Sequence, residues 1–187
     1  MKIENIFNDL KKDLQSINKK ANERLLKEEQ VRSSIFCSLK NQGYSVAAER
    51  NFNKSSEKEC DLVFWKGSGV ESWMEIKTSW YSLLKEDVRR LDKRGNDTWN
   101  NKPREQYESW KRDIKKLQNI ENTKHPKYFV LVEQCNQDSL FEELYTKNKY
   151  NIKEDFESVK CEKIEFELRW NKAPVDKCVV RVFDLKI

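Results

Sequence analysis

A chain of 187 residues is long enough for one compact domain with a real core. Charged and hydrophobic residues each make up 37% of it, and 6 Trp, 6 Tyr and 9 Phe need a core to pack in, which excludes a disordered chain; 3 Pro and 4 Gly exclude long flexible linkers. The net charge of +5 is compatible with nucleic acid without requiring it, and no stretch reaches the ~20 apolar residues of a membrane span or shows the apolar run of a signal peptide.

Residues 3 to 41 read as helix, with a break near Asn18 to Asn22. Ile3, Ile6, Phe7, Leu10, Leu14 and Ile17 recur at three- and four-residue steps, as do Leu25, Val31, Ile35 and Leu39. Gly43 stops the second helix. Tyr44 to Phe52, Asp61 to Trp65 and Val70 to Thr78 read as strands. Lys66-Gly67-Ser68-Gly69 turns the second into the third as a hairpin. Leu83 to Leu91 fits a short helix, and Gly95 to Pro103 reads as polar loop. Arg104 to Ile120 reads as a helix with Tyr107, Trp110, Ile114 and Leu117 along one stripe. Tyr128 to Val132 is wholly apolar, as in a strand buried on both faces. Leu140 to Tyr145 fits a helix. Lys163 to Trp170 and Lys177 to Leu185 form a last hairpin around Asn171 to Pro174. The order predicts an α/β fold, a mixed central β-sheet flanked by helices.

Charge is unevenly spread. Residues 77 to 127 carry 14 Lys/Arg and 8 Asp/Glu, a net of +6, while residues 133 to 167 carry 5 and 10, a net of −5. Lys111, Arg112, Lys115 and Lys116 form a basic helix edge suited to phosphates. Of the Trp residues, Trp73, Trp80, Trp99 and Trp110 suit base stacking, but core packing is the commoner role. Cysteines at 37, 60, 135, 161 and 178 form no close pair, which excludes a zinc knuckle or a CxxC redox motif. Their odd number points to free thiols in a reducing cytoplasm. Cys37 and Cys178 lie in apolar runs and read as core. His125 has no second His, which argues against a His-metal nuclease.

The chemistry concentrates in Glu59-Cys60-Asp61-Leu62-Val63-Phe64-Trp65 and Trp73-Met74-Glu75-Ile76-Lys77. A carboxylate opening an apolar strand is costly unless it lies at a rim or binds something. Glu75 and Lys77, two apart in a strand, share a face. The hairpin places Asp61 opposite Met74 or Glu75. In the second register two carboxylates and an ammonium gather on one face, and a divalent cation satisfies such a pair. Oxygen donors without His favour Mg²⁺ or Mn²⁺ over zinc.

Asp61, a short hairpin and Glu75-Ile76-Lys77 together resemble the PD-(D/E)XK nuclease superfamily of restriction endonucleases and Holliday-junction resolvases. Cys60 stands where that motif usually has proline. Glu28-Glu29-Gln30-Val31-Arg32, then Leu39, Gly43 and Tyr44, is similar to the superfamily's first helix and the start of its first strand. The resemblance covers roughly residues 25 to 80. It implies a restriction endonuclease-like core spanning 1–187 as a single nuclease domain. Residues 1–24 become an N-terminal helical extension and residues 79–127 a DNA-contacting helical insertion. It implies that Asp61, Glu75 and the carbonyl of Ile76 ligate Mg²⁺, with Mn²⁺ as a substitute, while Lys77 orients the attacking water. Glu49 is a further candidate carboxylate, and Glu28 a weaker one that is not separated from Glu29. The expected activity is Mg²⁺-dependent cleavage of duplex DNA, restriction-type and homodimeric. Junction resolution or repair, and a non-cutting DNA-binding or assembly module, are the alternatives.

Overall fold

Strand alternation sorts the apolar residues into two layers. The structure, a computed structural model, describes residues 1–20, 26–51, 59–79, 98–120, 124–169 and 176–185. Its strands are β1 (Ser45–Asn51), β2 (Glu59–Trp65), β3 (Ser72–Ser79), β4 (Lys127–Cys135), β5 (Lys160–Leu168) and β6 (Asp176–Asp184). They form one six-stranded sheet in the order β1-β2-β3-β4-β6-β5. Only β3 and β4 pair in parallel; the other neighbours are antiparallel. The protein is therefore α/β, with a mixed sheet flanked by helices.

Helices α1 (Ile3–Lys20) and α2 (Glu28–Asn41) cover one face. Ile6, Leu10, Leu14, Val31, Ile35 and Leu39 bury there against Leu62, Met74, Ile76, Val130 and Val180. The first helix, read from sequence as an extension, thus belongs to the core layer. Helices α3 (Thr98–Gln118), α4 (Leu140–Thr146) and α5 (Ile152–Phe156) cover the other face, with a 3-10 turn at Lys149–Asn151. Here Tyr107, Trp110, Ile114 and Leu117 pack with Val63, Trp73, Phe129, Leu131 and Phe183. No described helix is long and apolar enough to cross a membrane.

Local chemistry fixes the ends. Gly43, with φ of +80°, closes α2: its N–H donates to Lys40 O at 2.9 Å and that of Tyr44 to Leu39 O at 3.1 Å. That is the paired C-terminal cap a left-handed residue makes possible. Gly67, φ +58°, turns β2 into β3.

Several expectations need correction. Residues 98–103 are helical, not loop; the stripe from Tyr107 anchors a helix that runs through Pro103 at the loss of one backbone donor. Cys37 is exposed, whereas Cys178 is buried as expected. Beside Val31, Ile35 and Leu39, α2 buries Ser34 and Ser38, whose hydroxyls donate to Asp13 (2.7 Å) and Asp9 (2.6 Å) of α1. Strand β4 runs on to Cys135, because Glu133 and Gln134 find buried partners in Arg181 and Asp176. The short helix expected over 83–91 lies outside the described residues, as do Trp80 and the Trp99 side chain; Trp73 and Trp110 are core.

Candidate active site

The ladder between β2 and β3 pairs Leu62 with Met74, Val63 with Trp73 and Phe64 with Ser72. Continued one step, that register sets Asp61 opposite Glu75, the second of the two sequence alternatives. Beyond Leu62 the strands no longer pair. Ile76 N–H donates instead to Asp61 Oδ2 at 2.7 Å, and Cys60 Sγ donates to Met74 O at 3.0 Å. A strand residue's N–H and C=O leave on the same edge, so the Ile76 carbonyl also faces Asp61. The small Cys60 fits into this opening without adding a charge.

Helices from both layers converge on the opening. Lys77 Nζ lies 3.4 Å from Glu28 Oε1 of α2 and 3.4 Å from Asp113 Oδ2 of α3. Glu29 is exposed, which separates the two acids that sequence left open: Glu28 is the one at the site. Lys116 Nζ lies 2.6 Å from Glu75 Oε1 and donates to the Glu59 carbonyl. Although that pair is close, Glu75 Oε1 receives no hydrogen bond of regular geometry, and neither does Asp113 Oδ2. Arg32 Nη1 sits 2.7 Å from Glu49 Oε1 and 3.7 Å from Asp61 Oδ1. Glu49, which Arg32 holds, has a φ of +52°, a strained value for a residue with a side chain. Asp113 was not foreseen, and Lys116 was foreseen only as part of the basic helix edge. The available signal was an acid and a base three apart, flanking the Trp110–Ile114–Leu117 stripe.

Electrostatics follow burial. Glu75 is 3% exposed, and burial pushes its pKa up to about 8; Lys116 opposes this, while Asp61 and Asp113 add to it. Burial also raises Glu28 and Asp113. It pulls Lys77 down, but Asp113, Glu28, Asp61 and Glu75 outweigh it, so the ammonium is held above the ordinary lysine value. Five carboxylates (Glu28, Glu49, Asp61, Glu75, Asp113) thus surround three cations, Arg32, Lys77 and Lys116.

Among the described residues no three His, Cys, Asp or Glu side chains come together as a metal cage. A hydrated Mg²⁺ takes one or two carboxylates and keeps several waters. Asp61 and Glu75, with the Ile76 carbonyl, could supply such a donor set, and the irregularly paired Glu75 Oε1 is an oxygen a cation could use.

Beside the opening, a groove of about 560 Å³ runs along α3 between Glu59, Arg112, Asp113, Lys115 and Lys116. Arg112 and Lys115 are exposed. Lys111 pairs with Asp155 at 3.0 Å, so two of the four basic residues of this edge point to solvent and two are engaged within the protein. His125 Nδ1 accepts from Trp73 Nε1 at 3.3 Å, a packing role. Comparison with known proteins returns no family model, curated protein or solved structure that matches this chain.

Proposed function

We propose that the protein is a Mg²⁺-dependent endonuclease of duplex DNA with a restriction endonuclease-like core. One observation carries this reading: Asp61 and Glu75 oppose each other where β2 and β3 part, with Lys77 two residues on along β3. The element order supports it. A helix precedes an antiparallel three-strand unit, and β4 then returns parallel to β3 after a helix.

Asp61, Glu75 and the Ile76 carbonyl would hold the metal, with Mn²⁺ as a substitute. When bound, it would polarise a phosphoryl oxygen and make water a better nucleophile. The ammonium of Lys77, steadied by Glu28 and Asp113, orients that water and offsets charge on the phosphate. Attack forms one P–O bond and breaks another, and the leaving oxygen takes a proton. Exposed Arg112 and Lys115, beside the groove, suit the DNA backbone. A homodimer would let two such centres cut both strands, and a reducing cytoplasm suits five free thiols.

Plasmid, linear duplex and four-way junctions incubated with Mg²⁺ or EDTA test the reading. Discrete Mg²⁺-dependent fragments are expected; symmetric junction nicks would reassign the enzyme as a resolvase. DNA bound but left whole in Mg²⁺ and in Mn²⁺ would leave only a binding module. Glu75→Ala and Lys77→Ala should abolish most cleavage while DNA binding persists, and unchanged cleavage in both would refute the site.

A further inference from the structure

Helix α3 meets β3 on the face that carries Glu75 and Lys77, and it presents two charged residues one turn apart. The pairing crosses over: strand Glu75 meets helix Lys116 at 2.6 Å, and strand Lys77 meets helix Asp113 at 3.4 Å. Lys116 differs from Arg112 and Lys115 of the same helix edge. Its side chain is 18% exposed and reaches a carboxylate that is itself 3% exposed, while Arg112 and Lys115 face solvent.

The contact has a consequence for any cation held by Asp61 and Glu75. The Lys116 ammonium lies 2.6 Å from Glu75 Oε1, the oxygen a divalent ion on Glu75 would share with it, and two like charges held that close in a half-buried site repel. Cation binding there therefore favours movement of the ammonium away from Glu75. Lys116 also lines the groove along α3, where a phosphate would lie, so release from Glu75 leaves its positive charge facing the substrate.

We propose that Lys116 is an exchangeable counter-ion of Glu75, displaced by the catalytic divalent cation and transferred to a phosphate of the bound DNA. The inference rests on the nuclease reading given above. Lys116 is a positioning residue in it: it holds the ligand carboxylate in place and couples metal uptake to DNA engagement. Coupling of this kind is reciprocal, so DNA should tighten the metal and the metal should tighten DNA.

Mn²⁺ binding to the full chain, followed by calorimetry with no DNA present and above pH 8, where Glu75 is ionised, tests it. Lys116→Met keeps the chain length and removes the competitor, and should bind Mn²⁺ about tenfold tighter than the unaltered protein. Lys115→Met, which removes the same charge one residue away, should stay within about twofold. Equal affinity of the Lys116→Met variant and the unaltered protein would overturn the exchange and leave the nuclease reading standing. Absence of Mn²⁺ binding in both would bring down the two together. Should Lys116→Met fail to fold, amine-reactive labelling of the unaltered protein with and without Mg²⁺ decides. Labelling of Lys116 should rise with Mg²⁺ while that of Lys115 does not, and unchanged labelling of Lys116 would refute the proposal.

Discussion

At the scale of the residue, Glu75 sets the pH behaviour. Its folded-state pKa of about 8 stands above the ordinary 4.5, chiefly because it is buried. Between those values the folded protein holds a proton that the unfolded chain releases. Its contribution to stability is therefore complete below about 4.5 and is lost as pH rises through about 8. Glu75→Gln cannot ionise, so thermal melts in EDTA should show the variant gaining on the unaltered protein from pH 5 to pH 9. Parallel curves would mean that the carboxylate is not under this strain. Glu28 acts on the same site through Lys77. Glu28→Gln should slow cleavage about tenfold, as loss of an outer partner commonly does, while Glu29→Gln should leave it unchanged. Equal effects would return the choice between the two acids to where the sequence left it.

At the scale of the element, the β2–β3 hairpin was legible in the sequence and the helix facing it was not. Two glycines around Ser68 and strict alternation in Met74-Glu75-Ile76-Lys77 fix the turn, the face and, to within one residue, the register. Nothing in Arg104 to Ile120 says which strand its polar flank will meet, so the sequence does not single out Asp113 and gives Lys116 only as part of a basic helix edge. The choice between Glu28 and Glu29 fails for a related reason: apolar spacing gives a helix its buried stripe but not the reach of each flanking side chain at its first turn. Strand β4 ended too early in the sequence reading because Glu133 and Gln134 look like the end of an apolar run. In the sheet, Glu133 is directed inward to Arg181 at 2.5 Å, each side chain 2% exposed, across the β4–β6 ladder. Removing one partner strands a charge in the core, so Glu133→Gln should cost about 3–5 kcal/mol in urea unfolding. Replacing both, as in Glu133→Leu with Arg181→Met, should recover most of that loss. A double variant as weak as the single one would show that the wider network with Ser139 and Glu142 matters more than the pair.

At the scale of the whole molecule, a strongly acidic segment shares the chain with the basic helix edge that the proposed function assigns to a polyanion. Residues 133–167 carry a net of −5, but much of that charge is engaged internally. Glu133 and Glu142 pair with Arg181, Glu143 with Lys147 and Lys149, and Glu165 with Lys163 and Lys177. Asp155 holds Lys111 against α5. The segment is therefore less suited to imitate DNA, since most of its carboxylates already have partners. The positive segment is divided differently: Lys111 and Lys116 serve internal acids, which leaves Arg112 and Lys115 as the exposed cations beside the groove on α3. Each phosphate contact releases counter-ions, and log K falls with log salt by about 0.9 per contact on duplex DNA. Arg112→Ala and Lys115→Ala should each reduce that slope by roughly 1, additively, across unrelated DNA sequences. Lys111→Ala should leave the slope close to its starting value, because that ammonium is committed to Asp155. Measured by fluorescence anisotropy between low and moderate salt, in EDTA so that nothing is cut, an equal loss at all three positions would mean that the whole helix edge meets DNA. No change at Arg112 and Lys115 would place the DNA on another face of the protein.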